Sequence, residues 1–529
     1  VSPSSHSHSH SRSNGHGNGH HAGPVDEEAL RREHEAARER VAEQRAAIDE
    51  STRLPVLAFF GSAVFWLLVG SIFADLASIK LHSPEFLDGP SWLNFGRLRP
   101  AHLNAVIYGW ASMAGIGVML WLMARLCWAE LRLPRLLLAA AAVWNLAVLA
   151  GIVGILAGQG TSIEWLEFPG FVPPLLTAAF AMIAVWAVVM FRDRREGHVY
   201  VTQWYLFGAI FWFPWLYTAA NLLMIYEPIR GVTSSTVNWW YGHNVLGLWF
   251  TPIGVGAVYY LLPKVLGRPI YSYYLSILGF WALALFYNWN GAHHLIGGPL
   301  PAWLITVSIV ASAMMMMPVG AVALNHHMTL VGHFALLKYS PTLRFIIFGA
   351  MSYTLVSVQG ALQALRTVNE VTHFTHYTIA HSHLGMYAFF TMVMFGCIYY
   401  IMPRLTGWEW ASAGLIRLHF WAVAGGIALY VVPLTIGGLL QGWALHKTST
   451  PFIEIVRSTV PYLWVRSVAG FTLTIGHVAF ATLFVMNLLH LGAARELPTI
   501  LGSSEEYREL LAEAAIEGED AVAAGEEVG

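Results

Sequence analysis

Apolar runs of about twenty residues, broken by short polar stretches, recur along most of the chain. They lie near 54–77, 101–127, 133–157, 171–191, 204–227, 243–263, 271–289, 301–323, 343–366, 380–402, 412–436 and 463–491. Each can cross about 30 Å of hydrocarbon as a helix. The pattern therefore predicts an all-α integral membrane bundle of twelve transmembrane helices. Connections such as 263–271 are too short to separate domains, so residues 53–491 read as one membrane domain. Upstream, residues 26–52 place Glu and Arg at helical spacings among alanines, which predicts a charged, solvated, cytoplasmic helix. Residues 1–25 hold six histidines among Ser, Gly and Asn and cannot build a core. A disordered tail is expected there, with weak transition-metal binding as the alternative. Residues 492–529 form an acidic tail. No cleavable signal peptide is expected, because the first apolar run begins only after position 52.

Composition sharpens this picture. Of 529 residues, 56% are hydrophobic and 11% charged, whereas a soluble domain carries roughly 25% charge. An ordinary soluble enzyme is excluded. Nineteen of the 31 acidic residues fall within 26–50 and 491–529, leaving 12 for the long apolar middle. A net charge of -2 gives no case for nucleic-acid binding. Cys127 and Cys397, both in apolar runs, give no disulfide framework. Arg192, Arg194 and Arg195 orient the loop after the fourth span toward the cytoplasm. With alternating spans, both tails are then cytoplasmic.

Six histidines lie inside the predicted spans: His102, His243, His293, His294, His381 and His383. A histidine in hydrocarbon is neutral and paired, or it binds something. Each alone could be a helix-packing hydrogen bond; the set marks function. His293 and His294 are adjacent, so on a helix they point about 100° apart and need a neighbouring helix to share one metal. His243, at the start of the preceding span, is available as a third imidazole. Three neutral nitrogens without a carboxylate suit Cu, Fe or Zn. His381 and His383, two residues apart, point to nearly opposite faces and can serve two planar cofactors. Two haems follow, with His102 as a second axial ligand to one of them.

Four ordered segments carry a resemblance: LNFGRLRPAHLNAV (93–106), WWYGHN (239–244), YSYYLSILGFWALALFYNWNGAHHL (271–295) and TVNEVTHFTHYTIAHSHLG (367–385). From about 54 to 490 the chain resembles the catalytic subunit I of the haem–copper oxidoreductase superfamily, especially its C-type (cbb-type) oxygen reductases. The resemblance implies a multi-pass protein of the prokaryotic inner (cytoplasmic) membrane. It makes His102 and His383 the axial ligands of a low-spin b-type haem and His381 the proximal ligand of a high-spin b-type haem. It makes His243, His293 and His294 the ligands of a non-haem copper or iron. Tyr287 matches the tyrosine that in C-type oxidases is covalently joined to the first metal-ligand histidine; a tyrosine hydrogen-bonding within the bundle is the alternative. Arg457 and Arg466 are expected to pair with haem propionates, or to be ordinary interface arginines. Glu164 and Glu167 are expected to bind a cation such as calcium near the haems, or to face water.

The departures bear on the substrate. Where the C-type oxidases carry a glutamate in the span before the HxH helix, this chain has Gln359. An amide removes a charge and a proton carrier but keeps an oxygen that accepts hydrogen bonds. The usual nitric oxide reductases place glutamates around a non-haem iron, including one a turn beyond the first histidine, and HNVLGLW has no acid. The glutamine fits atypical nitric oxide reductases that resemble C-type oxidases. The sequence reading therefore places 2 NO + 2 e⁻ + 2 H⁺ → N₂O + H₂O first and reduction of O₂ to water, with proton pumping, second. Tyr287 argues for O₂, because NO coupling needs no tyrosyl donor. Tyr241, Asn244, Thr251, Tyr259 and Tyr260 could line a proton route or simply pack between helices. The methionines Met314–Met317 read as adaptable packing. No CxxCH motif or cupredoxin-like domain occurs in the sequence. The donor is thus expected to be another subunit or a quinol, and the resemblance implies a membrane-anchored electron-transfer subunit, with cytochrome c, a cupredoxin-domain subunit or quinol as donor. A transporter would explain the spans but not the ordered histidines.

Overall fold

The computed structural model describes residues 27–495. The expected tail at 1–25, and that at 492–529 apart from its first four residues, lie outside the described residues. The described residues form the helices α1 (Glu27–His82), α2 (Phe95–Asn104), α3 (Ser112–Cys127), α4 (Pro134–Leu156), α5 (Val172–Arg192), α6 (Val201–Asn221), α7 (Val232–Val245), α8 (Thr251–Leu266) and α9 (Tyr273–Phe286). They continue as α10 (Ala302–Met314), α11 (Met316–Leu330), α12 (Pro341–Gln363), α13 (Arg366–Thr372), α14 (His376–His383), α15 (Met392–Thr406), α16 (Ala413–Leu445) and α17 (Phe452–Leu488).

The chain divides into two compact units, Val1–Ala47 and Ile48–Gly529. The described part of the first is helical, as its Glu/Arg/Ala pattern predicts. The second begins inside the segment expected to be solvated. There Asp49 is buried, accepting from Trp121 Nε1 at 2.9 Å and pairing with Arg125 Nε at 2.9 Å. A paired acid belongs to the bundle, so this last turn is part of the core.

Among the described residues, eleven helices are long and apolar enough to cross a membrane, against the twelve expected. The exception is 271–289. Here α9 stops after 14 residues, and the chain tightens into 3₁₀ turns at Tyr287–Trp289 and Gly291–Leu295. Asn288, Asn290 and Gly291 explain the stop, because amide side chains and glycine favour turns over helix interiors. Asn288 Oδ1 accepts from Trp240 Nε1 at 3.1 Å, which ties the turn to α7.

Three spans occupy the centre. Over the most apolar stretch of α2–α3, α7–α8 and α14–α15, 94%, 89% and 78% of residues are buried, against 39–50% in the other eight. Large side chains such as Phe65, Trp215, Trp281 and Trp421 cover the outward faces, as lipid contact requires. The central spans are cross-linked by polar contacts. Tyr108 and Tyr241 share a hydrogen bond of 2.6 Å, Trp110 Nε1 donates to Thr391 Oγ1 at 2.9 Å, and Trp249 Nε1 donates to Ser112 Oγ at 3.2 Å. With lipid outside and no water to compete, such bonds fix helix registry. Each central span also loosens into π-helix, at Ala105–Ala111, Leu246–Phe250 and Leu384–Thr391. These stretches begin within three residues of His102, His243 and His383. A π-turn rotates the residues that follow it and is frequent at functional sites.

Helix ends follow local chemistry. Ser272, Ser340 and Ser412 each cap a helix by accepting from the backbone N–H three residues on. Gly267 and Gly407 end α8 and α15 with φ of +68° and +77°, a conformation costly for other residues.

Candidate metal centre

His243 lies in the last turn of α7, and His293 and His294 lie on the Gly291–Leu295 turn that packs against it. One ring nitrogen from each falls within 4.8 Å of the others. Their ring centroids are 4.8 Å (His243–His293), 5.4 Å (His243–His294) and 4.4 Å (His293–His294) apart. The adjacent pair lies on a 3₁₀ turn rather than an α-helix, and α7 supplies the third imidazole.

The surroundings prepare these rings for metal. Ser312 Oγ donates to the Ser308 carbonyl at 2.8 Å, so it accepts from His293 Nδ1 at 2.9 Å. His293 Nε2 is left with a lone pair. Ser308 Oγ in turn accepts from the His293 backbone N–H at 2.8 Å and donates to the Asn290 carbonyl. Trp239 stacks on His294 at 4.2 Å. His243 Nδ1 is buried with no hydrogen-bond partner, a costly state for a polar atom that a metal would relieve. The cluster contains three imidazoles and no carboxylate, a donor set that fits copper, iron or zinc.

Tyr287 stacks on His243 with centroids 4.6 Å apart and planes at 28°. The contact depends on Gly247, one turn beyond His243. A Cβ there would lie 1.8 Å from Tyr287 ring atoms. Gly247→Ala is expected to destabilise the protein by about 1–3 kcal/mol through overpacking and to push Tyr287 off His243. Thermal melting of the purified protein, read with its non-haem metal content, checks this.

His102 and His383 line a second site, a shared cavity. His102 Nδ1 meets the Gly70 carbonyl and His383 Nδ1 the Ile379 carbonyl, each at 2.9 Å. A carbonyl only accepts, so both Nδ1 atoms carry the proton and both Nε2 atoms keep a lone pair. This is the arrangement that two axial ligands of one haem need. Arg466 lines the same cavity and donates through Nε to Tyr430 Oη at 2.9 Å, whereas Arg457 is exposed and outside its lining.

His381, two residues before His383, is oriented by Gln359. Its Nδ1 meets Gln359 Oε1 at 2.9 Å. The amide expected to be catalytic thus contacts the imidazole of His381.

Glu167 is buried. It accepts from Asn104 Nδ2 at 3.2 Å, and its Oε1, with no hydrogen-bond partner, lies 3.9 Å from Arg99. Burial pushes its carboxyl above the usual range, with Asn104 and Arg99 opposing. Glu164 is half exposed to solvent and pairs with Arg99 at 2.9 Å. The polar residues of the expected proton route are divided. Tyr241 bonds Tyr108, Asn244 donates to Asn288 at 3.3 Å, and Tyr259 packs on His326 at 4.6 Å. Tyr260 packs on Trp121, and Thr251 opens α8.

Sequence reasoning missed several supporting residues. Ser308 and Ser312, four apart in an apolar helix, were a readable signal. His373 was not. It sits outside the spans, is hydrogen-bonded to the backbone at His294 and Ile296, and is held below its usual pKa by burial despite those bonds.

Comparison with known proteins places this arrangement in a family. The model for "Cytochrome C and Quinol oxidase polypeptide I" matches residues 55–472. The chain belongs to that family. It is subunit I of a haem–copper-type oxidoreductase, related to both cbb3-type oxidases and nitric oxide reductases. The cbb3-type cytochrome c oxidase subunit CcoN1 of Stutzerimonas stutzeri is 33% identical over 420 residues, covering 77% of this chain and 89% of that protein. A nitric oxide reductase subunit of the same organism is 24% identical, covering 80% of this chain and 91% of that protein. A haem–copper terminal oxidase solved by cryo-electron microscopy shares the fold, with a TM-score of 0.64 and 16% identity over 87% of this chain and 86% of that one. As a family member this polypeptide I is a multi-pass respiratory oxidoreductase of the membrane. Its three-histidine cluster is a metal-binding site consistent with a haem–copper centre.

Proposed function

We propose that this polypeptide I is the catalytic subunit of a C-type oxygen reductase. The observation that carries the reading is Tyr287 stacked on His243. Cleaving an O–O bond draws electrons faster than an outside donor delivers them. A phenol against a metal ligand can supply one electron and one proton on the spot, and NO coupling needs no such donor. The cluster also lacks the carboxylate that the usual NO reductases place beside a non-haem iron. Identity of 33% to the cbb3-type subunit, against 24% to the NO reductase subunit, supports the same order. O₂ therefore moves ahead of NO, reversing the preference from sequence. NO reduction stays as the second reading because Gln359 stands where the oxidases carry a glutamate.

In this assignment His243, His293 and His294 hold copper. His381 holds the high-spin haem, and His102 and His383 hold the low-spin haem. When bound, these groups supply electrons and hold the substrate gas. The protein's own part is orientation: Ser312 and the carbonyls of Gly70 and Ile379 set imidazole tautomers, Gln359 aims His381, and Tyr287 stands ready with its O–H. Arg466, which lines the same cavity, would pair with a haem propionate. Glu167, with an orphaned carboxylate oxygen, is the calcium ligand of the loop, and the nearby Arg99 already offsets part of its charge. The fourteen-residue α9 completes a twelfth crossing with its 3₁₀ extension. The protein sits in the prokaryotic inner membrane with both tails cytoplasmic. A membrane-anchored subunit delivers electrons from cytochrome c, a cupredoxin domain or quinol.

The deciding experiment measures O₂ consumption and anaerobic NO consumption by one purified preparation with a reduced artificial donor, alongside metal analysis. The expected result is rapid O₂ consumption, little N₂O and one copper. Stoichiometric N₂O with weak O₂ turnover would overturn the reading in favour of NO reduction.

A further inference from the structure

The apolar run 54–77 contains a single charged residue, Asp75. An acid within a membrane span is costly and marks function more often than packing. Asp75 is buried, and its oxygens take no ion pair among the described residues. Thr474 Oγ1 on α17 donates to Asp75 Oδ2 at 2.7 Å. The facing position on α17 is Gly470, where a Cβ would lie 2.7 Å from Asp75 Oδ1. The absent side chain makes room for the carboxylate.

Asp75 lines the cavity that His102 and His383 share. It also belongs to a polar seam between α1 and α17. On α1, Ser71, Asp75, Ser78 and His82 recur at three- and four-residue steps and so share a face. On α17, Ser467, Thr474 and His477 face them. His82 Nε2 meets Ser467 Oγ at 2.9 Å, and Ser467 Oγ meets Ser78 Oγ at 2.8 Å. One turn deeper is the Asp75–Thr474 pair. One turn deeper again, His477 Nδ1 meets Ser71 Oγ at 2.7 Å and His477 Nε2 meets Tyr387 Oη at 2.5 Å. The seam starts at the end of α1, the side opposite the Arg192–Arg195 loop when spans alternate.

We propose that Asp75 is a redox-linked proton site of the low-spin haem. This rests on the assignment of that haem to His102 and His383. When the electron-transfer subunit delivers one electron, the iron goes from ferric to ferrous and the cavity gains one negative charge. The Asp75 carboxylate takes up one proton, forming one O–H bond and restoring the charge. Oxidation reverses both changes. In a low-dielectric cavity an uncompensated charge is costly, so electron and proton move together. Other groups facing this cavity are Arg466, His477 and Tyr387, with Tyr430 from α16. Arg466 is engaged with Tyr430, and His477 and Tyr387 with each other. His82 bonds Ser467, and Lys80 on the same helix donates to the carbonyls of Phe86 and Leu87. Among the described residues, Asp75 is the one carboxylate lining the cavity.

The test is spectroelectrochemical titration of the low-spin haem in the purified complex at a series of pH values, with carbon monoxide holding the other haem reduced. In the wild type the midpoint should fall as pH rises. Coupling to one proton changes the equilibrium tenfold per pH unit, about 59 mV for a one-electron couple. In Asp75→Asn the midpoint should become independent of pH and stay near the wild-type value at low pH, because the charge that favours ferric iron is gone. Infrared difference spectra should show a protonated carboxyl appearing on reduction of the wild type and absent from Asp75→Asn. If Asp75→Asn does not assemble, Thr474→Val carries the test: loss of the hydroxyl donor should move the coupled range to higher pH, and an unmoved range overturns the proposal. A low-spin bis-histidine spectrum whose midpoint ignores pH in the wild type, or keeps its slope in Asp75→Asn, overturns the role of Asp75 alone. Absence of that spectrum overturns the haem assignment with it.

Discussion

His243→Ala is expected to empty the non-haem metal site while both haems stay bound. The three imidazoles converge from two separate pieces of chain, with ligand nitrogens within 4.8 Å of one another. His293 and His294 share a single turn and lean on α10 through Ser308 and Ser312. Without His243, two adjacent rings cannot complete a three-coordinate site, and nothing in the cluster replaces the lost nitrogen. Metal catalysis of this kind is worth several kcal/mol, so losing it should lower turnover by at least about 10³-fold. Elemental analysis should find no copper, and optical spectra should keep both haem signatures, whose proposed ligands His102, His381 and His383 lie on other helices. Wild-type copper content in the variant would remove His243 from the ligand set. His243 also stacks on Tyr287, so the variant should free the phenol ring as well.

Gln359→Glu is expected to lower the midpoint potential of the high-spin haem. The wild-type amide oxygen accepts from His381 Nδ1 at 2.9 Å. An ionised carboxylate there makes the bond charge-assisted and pulls the imidazole toward imidazolate, a stronger donor that favours ferric iron. A gain of about 1–2 kcal/mol corresponds to about 40–90 mV for a one-electron couple. Gln359→Leu removes the acceptor and should shift the potential the other way. The stretching frequency of the bond between iron and His381 should rise in the first variant and fall in the second. A potential unmoved in both would show that Gln359 does not orient His381. The pair also separates positioning from catalysis, since a residue in the substrate space would change turnover without moving the iron–histidine frequency.

Much of the site was legible because membrane insertion makes polar residues conspicuous. Six histidines in apolar runs, two of them adjacent and two spaced by one, single themselves out where every unpaired polar group is costly. Tyr287 and Gln359 were legible only against a family pattern. What each touches was not legible at all: the sequence separates Gln359 from His381 by 22 positions and Tyr287 from His243 by 44. The count of spans missed by one long helix for a local reason. Hydropathy sees 271–289 as apolar, but Asn288, Asn290 and Gly291 stop the helix after Phe286 and turn Tyr287–Trp289 and Gly291–Leu295 into 3₁₀ geometry.

By itself the sequence determined a membrane bundle, the order of its helices and the residue types available for ligation. These depend on local composition, since a run of apolar residues partitions into lipid wherever the rest of the chain lies. Tertiary structure decided which imidazoles meet, which of their nitrogens are free, and which residues stand behind them. Ser312 sets the tautomer of His293, the Gly70 carbonyl sets that of His102, and Gly247 admits Tyr287 to His243. Asp75 was visible as one acid in an apolar run, yet its place beside the cavity of His102 and His383 came from packing α1 against α17. Hydrogen bonds and ring contacts act over a few ångströms, and distance along the chain does not determine distance in space.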